Sequence, residues 1–155
     1  HPQALQDSID AIRQADIIVI GPGSLYTSII PNFLVDGISE AIRSSGAVRE
    51  YILNIMTQDG ETDGYTGEDH VRALLEHAGG DVIDVCIANN APVPEKWLAP
   101  YRQEGVGPIE VDRAGIEALG VAVREFPLCR PGRYIRHDAD ALSRAILSVW
   151  REFEA

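Results

Sequence analysis

Cysteine is scarce in this sequence, and its two copies, Cys86 and Cys129, stand too far apart to form a Cys-x-x-Cys pair. A disulfide framework and a zinc site are therefore not expected, and a reducing cytoplasm is the compartment that fits. Basic residues are also few: 13 Lys and Arg stand against 24 Asp and Glu, a formal net charge of −11. A chain that gripped nucleic acid or anionic lipid through its overall field would need the opposite sign, so neither is an expected partner. No apolar run approaches the roughly 20 residues of a membrane span, and no charged-then-apolar secretory leader is visible. Membrane insertion is not expected.

What the sequence does contain is an alternation of helical and strand patterns. Its 155 residues, 45% hydrophobic and 24% charged, suffice for one domain with a sizeable core. Leu5, Ile9 and Ile12 recur at helical spacing, so the chain opens on a helix with no strand before it, as an excerpt of a longer protein would. Residues 17–20 form a β-branched run typical of a strand covered on both faces. A helix is expected over 31–45, with Leu34, Ile38, Ala41 and Ile42 as its apolar stripe, then a strand over 48–53 and a polar loop over 54–66.

The next helix stops at Gly79-Gly80, and a third strand spans 82–88, with Cys86 as a buried thiol. A short helix is expected within "VPEKWLAPYRQEG", and short strands over 109–111 and 121–123. An amphipathic helix capped by Asp138 closes the chain. This order predicts an α/β fold, a parallel sheet with helices on both faces, whose ligands sit at the carboxyl ends of the strands.

The three strongest strands end in "GPGS", "NIMTQDGET" and "ANNAP", all small, polar and free of bulky charge. In the first tip, Gly21 and Gly23 allow close backbone approach, and Ser24, Thr27 and Ser28 can donate to phosphate oxygens. The dinucleotide fingerprint fails because Tyr26 stands where its third Gly belongs, and a P-loop fails for want of Lys. A tight strand-to-helix turn with a hydroxyl cap accounts for the same residues.

In the second tip Asn54, Thr57, Gln58 and Thr62 can read a base or a sugar hydroxyl. Asp59, Glu61, Asp63, Glu68 and Asp69 can either face solvent or attract a hard cation carried by phosphates. In the third, Asn89 and Asn90 suit either a rigid turn or a ligand wall. His70 and His77 are seven apart and give no metal-ligand spacing. Arg130, Arg133 and Arg136 form a basic cluster that clamps a phosphate or pairs with carboxylates, the second being the commoner fate.

Taken in order, "GPGSLYTSIIPNFLVDGISEAI", "YILNIMTQDGETDGYT" followed by "DHV", and "NNAPVPE" resemble the YvcK-like gluconeogenesis factors, which share a superfamily with the CofD-like 2-phospho-L-lactate transferases. The resemblance runs from about Ala15 to Arg136. It implies a Rossmann-like domain, with residues 1–155 as the C-terminal part of a single CofD/YvcK-like unit.

It also implies a nucleotide or nucleotide-sugar ligand, UDP-sugar binding, and a regulatory link to gluconeogenic growth and cell shape. In the transferase branch it implies instead phospholactyl transfer from a guanylated donor with a divalent metal. The Leu-Tyr-Thr-Ser continuation after Gly-Pro-Gly-Ser favours the first branch. The ligand-contacting positions it implies are Gly21, Pro22, Gly23, Ser24, Thr27, Ser28, Asn54, Thr57, Thr62, Asp63 and Asn89. No resident metal is implied, only magnesium accompanying a bound nucleotide, and a homodimer is what the family suggests.

Two departures stand out. The Gly-rich loop with which the family usually begins is absent, so an N-terminal half outside this chain is expected to complete the site. Asp59 also replaces the Pro expected before Gly60.

Overall fold

A computed structural model describes residues 2–102, 105–130, 132 and 134–154. Four strands form one parallel sheet in the order β1 (Ile17–Ile20), β2 (Val48–Ile52), β3 (Val85–Asn89) and β4 (Ala122–Phe126). The register places Val19 beside Glu50, and Glu50 beside Val85. A separate antiparallel pair, β5 (Cys129–Arg130) and β6 (Arg136–His137), follows the sheet.

The alternation of side chains along each strand sorts the core into two layers. Ile20, Tyr51, Leu53, Cys86, Ala88 and Val123 belong to one buried cluster. It is completed by α2 (Ile30–Phe33), α3 (Ile38–Ser44), α4 (Gly67–Ala78) and α6 (Arg113–Ala118) through Ile30, Phe33, Ile42, Val71, Leu74 and Ile116. The residues between them, Ile52, Val85 and Ile87, join Leu142, Ala145 and Val149 of α7 (Ala139–Glu154) on the opposite face. Each such fully buried aliphatic side chain stabilises the fold by about 1.5–3 kcal/mol. The expectation of helices on both faces is met in this way: α2, α3, α4 and α6 cover one side, and α7 covers the other.

The opening helix α1 (Gln6–Gln14) has no fully buried residue and packs chiefly on α3. Local chemistry sets the main element boundaries. At α4, Thr66 accepts from the Asp69 amide while the Asp69 carboxylate accepts from the Thr66 amide at 2.8 Å, a reciprocal cap. Gly79 ends that helix at φ 76°, the left-handed position glycine favours. Asp138 accepts from the Ala141 amide at 2.8 Å and starts α7 as expected.

Several boundaries differ from the expectation. The single helix foreseen over 31–45 is broken in two, because Gly37 takes φ 97° between α2 and α3. A wide π-type turn, Leu25–Ile29, precedes them. The third strand starts at Val85 rather than residue 82, where Val82 and Ile83 instead pack into the core outside any strand. Residues 109–111 form no strand, although Ile109 donates its amide to the Ile55 carbonyl at 3.0 Å. The short helix expected near 93–105 is α5 (Glu95–Arg102). The helix α6, capped by Asp112, and the β5–β6 pair have no counterpart in the sequence reading.

Candidate functional site

Because β1, β2 and β3 run parallel, the loops that leave their carboxyl ends emerge on one rim. The first loop turns at Gly21, whose φ of 88° suits glycine and whose α-carbon faces the Ile52 carbonyl so closely that an added Cβ would lie 3.3 Å from it. The second loop is stitched to the first by two side chains: Asn54 donates to the Gly23 carbonyl at 2.8 Å, and Gln58 Nε2 donates to Ser24 Oγ at 2.9 Å. Thr57, 8% exposed, holds the second loop from behind, its Oγ1 accepting from the Gly107 amide at 3.1 Å.

Between these loops and the β5–β6 pair lies a cleft of about 620 Å³. Its near wall is Pro22, Gly23 and Ser24, its floor Asn54 to Gln58, and its far wall Tyr101 of α5 with Tyr134, Ile135, Arg136 and His137. The volume is in the range of small-ligand sites. None of the described lining residues is an Asp or Glu, in a chain of net charge −11.

The far wall is built for charge of the other sign. The register sets Arg130 directly opposite Arg136, like charges side by side, which costs stability unless an anion lies nearby. Arg136 is exposed, forms no ion pair among the described residues, and sits 5.8 Å from the Tyr134 ring centroid. Arg133, the third member of the basic cluster, lies outside the described residues. His137 Nε2 stands 3.1 Å from the Leu53 carbonyl, an acceptor only, so Nε2 carries the proton. Burial pushes its pKa below the ordinary range, and the ring is neutral, with Nδ1 left as an acceptor. The Tyr101 hydroxyl accepts from the Ile135 amide at 2.9 Å and so ties α5 to this wall.

The positions expected to contact a ligand divide into three groups. Pro22, Gly23, Ser24, Asn54 and Thr57 line the cleft, with Gly21 at the turn that leads into it. Ser28 instead lines a smaller, mostly apolar groove of about 280 Å³ beside β1, together with Gly21 and Ile29. Thr27, Thr62, Asp63 and Asn89 are absent from the lining of the larger cleft, and each fastens a loop. The Thr27 amide donates to Glu61 at 3.1 Å, Thr62 Oγ1 accepts from the Gln58 amide at 2.9 Å, and Asp63 accepts from the Gly60 amide at 2.9 Å.

Asn89 does most of this work. Its Oδ1 accepts from the amides of Leu128 at 2.9 Å, Cys129 at 2.8 Å and Ala91 at 3.2 Å, and its Nδ2 donates to the Ala91 carbonyl at 2.8 Å. It also lines a pocket of about 150 Å³ that shares Asn54 with the main cleft.

Tyr101, Tyr134 and His137 reach the cleft without having been singled out in the sequence. For Tyr134 and His137 the hint was the Arg-rich run around them, since their approach depends on how the β5–β6 pair folds back; Tyr101 arrives on α5. Among the described residues no three His, Cys, Asp or Glu side chains converge as a metal site. The donors in the cleft are amides, hydroxyls, a neutral imidazole and a guanidinium, which do not fit a hard divalent cation.

Comparison with known proteins agrees with this fold. Residues 1–129 match the family model described as 2-phospho-L-lactate transferase CofD. The chain is 45% identical over 144 residues to the gluconeogenesis factor of Halalkalibacterium halodurans, covering 92% of this chain and 45% of that protein. It is 40% identical over 149 residues to the gluconeogenesis factor of Bacillus subtilis, covering 96% and 47%. A crystal structure of a UPF0052-family protein from Bacillus halodurans superposes with a TM-score of 0.90 at 45% identity, covering 94% of this chain and 47% of that one. The chain thus spans less than half the length of these relatives. By the match over most of its length, it belongs to the CofD family.

Proposed function

We propose that this chain carries the strand-tip half of a nucleotide-sugar site, of the UDP-sugar type, in a regulatory protein of the YvcK-like kind linked to gluconeogenic growth and cell-shape maintenance. The observation that carries the reading is the cleft at the tips of parallel strands, with no carboxylate among its described lining residues and with Arg136 in its wall, in a chain of net charge −11. An acidic molecule repels anions unless one region is cleared of carboxylates and given donors. In this reading Arg136 holds the diphosphate, the rings of Tyr101 and Tyr134 flank the base, and Ser24, Asn54 and Gln58 meet sugar hydroxyls. Residues 1–155 then form the C-terminal part of the domain, and the N-terminal half supplies the rest of the site.

Magnesium enters this reading only as a companion of the nucleotide's phosphates, since the described lining residues offer no carboxylate. The second reading, a phospholactyl transferase using a guanylated donor, is favoured by the family match over residues 1–129. Thermal shift separates the two in a protein of the relatives' full length, with UDP-sugars against guanine nucleotides, each with and without magnesium. Stabilisation by UDP-sugar independent of magnesium supports the regulatory reading, and stabilisation by guanine nucleotide with magnesium alone overturns it. Gly23→Trp should abolish either response, because Gly23 lines the cleft and its own far side is already occupied, an added Cβ meeting Ser28 and Ile29 at van der Waals distance and leaving the indole no room away from the cleft.

A further inference from the structure

The two edges of the sheet are treated differently. On β4, Arg124 pairs with Glu152 of α7 at 2.8 Å and Glu125 with Arg113 of α6 at 2.7 Å, so charged side chains guard that edge. Such charges are a common means of keeping another strand from adding. At the other edge β1 is Ile-Ile-Val-Ile, has β2 as its one neighbour in the sheet among the described residues, and carries no charge at all. Val19 is 43% exposed, and the groove of about 280 Å³ beside it is lined by Ile18, Ile20, Ile29 and Phe33. An edge of this kind, left unpaired, invites aggregation.

A second observation lies on the same face as Val19. Glu50, its register partner, is fully buried, yet neither carboxyl oxygen has a hydrogen-bond partner among the described residues. Its strand neighbours on that face, Val48 and Ile52, pack into the apolar layer under α7. A carboxyl group enclosed in this way without a donor costs about 1–3 kcal/mol, more if ionised. A buried carboxyl left without a donor calls for an explanation, and a partner from outside the described residues supplies one.

We propose that the open edge of β1 is an internal seam, closed by a strand from the half of the family fold outside residues 1–155, and that the same half presents a side-chain hydrogen-bond donor to Glu50. The occupant follows from size: the matched relatives are about twice this length, and the chain covers 45–47% of them. It also follows from chemistry, because an uncharged β-branched edge and a lone acid call for an apolar strand with one donor beside it. A second copy of the chain would offer Val19 and Glu50 against themselves, acid facing acid.

The test uses a protein of the relatives' full length, with Glu50→Leu. Leaving the donor buried and unpaired should lower Tm by about 5 °C. A Tm that is unchanged or higher overturns the pairing. In the unsubstituted full-length protein, the Glu50 side-chain carboxyl followed by carbon-13 NMR should titrate well below 7, since a donor favours the charged form. A midpoint near 7, the value burial alone gives it, overturns the pairing as well. Hydrogen exchange reads the seam itself: the β1 amides that do not donate to β2 should be strongly protected, and rapid exchange there rejects the added strand.

Discussion

Removing the Asn89 side chain tests whether this residue touches ligand or positions the wall that does. Asn89→Ala deletes four hydrogen bonds, three accepted by Oδ1 from Leu128, Cys129 and Ala91 and one donated to Ala91. At a net worth of about 1 kcal/mol each, less what water recovers in the space vacated, the loss is about 3 kcal/mol. Leu128 is itself 0% exposed, so its amide is poorly placed to find water.

The same change frees the start of β5, and β5 carries β6, from which Arg136 and His137 face the cleft. Urea denaturation should therefore show a midpoint lowered in proportion to about 3 kcal/mol with little change in slope. Nucleotide-sugar affinity, measured calorimetrically below the transition, should fall in step. A variant that keeps its stability within about 1 kcal/mol but loses all binding would refute this reasoning, because Asn89 would then act by contact.

Gly67→Ala should destabilise by about 2 kcal/mol or more in the same assay, since its Cβ would lie 2.3 Å from the Val111 carbonyl oxygen and its amide already bonds Glu110 at 2.7 Å. Arg136→Ala should weaken nucleotide-sugar binding about tenfold or more with a smaller effect on the free nucleoside, as loss of a charge-assisted bond implies; equal losses for both ligands would take Arg136 off the phosphates.

Stability of the 155-residue chain should depend on pH through Glu50, whose carboxyl burial pushes up to about 7. A raised acid is favoured in the fold while protonated, so its contribution is complete below the unfolded value and is lost as pH rises from about 4.5 through 7, about 3 kcal/mol in all. Subtracting the Glu50→Gln profile isolates this term from the buried histidines, and identical profiles would exclude it. Asp84→Ala should cost about 2 kcal/mol by orphaning Arg49, which meets that carboxylate through both its backbone amide and its guanidinium; a change under about 0.5 kcal/mol would mark the pair as solvent-screened.

Local pattern was enough for much of this fold. The β-branched run at residues 17–20, the stop at Gly79 and the Asp138 cap each rest on neighbours a few residues apart, and each stands where the sequence puts it. The alternation of these elements also determined the parallel sheet, and with it the shared rim of strand tips. What failed locally failed for tertiary reasons. Residues 109–111 are apolar enough for a strand, yet the neighbouring loop through Ile55 and Thr57 takes their region's backbone bonds instead.

The cleft itself lay beyond the sequence. Asn54 and Gln58 were legible as polar tip residues, but Tyr101 approaches on α5, and Tyr134 and His137 are brought by the β5–β6 fold-back, from positions 43 to 79 residues further on than Gln58. Thr62 and Asn89 illustrate the reverse. Their side chains could equally well have met a ligand or a backbone amide, and only the packed loops show that amides 4 and about 40 residues away claim them. Composition and periodicity decide which segments must be buried and which ends stay polar. Which polar atoms remain available to a ligand is decided only when distant backbone groups have taken their share.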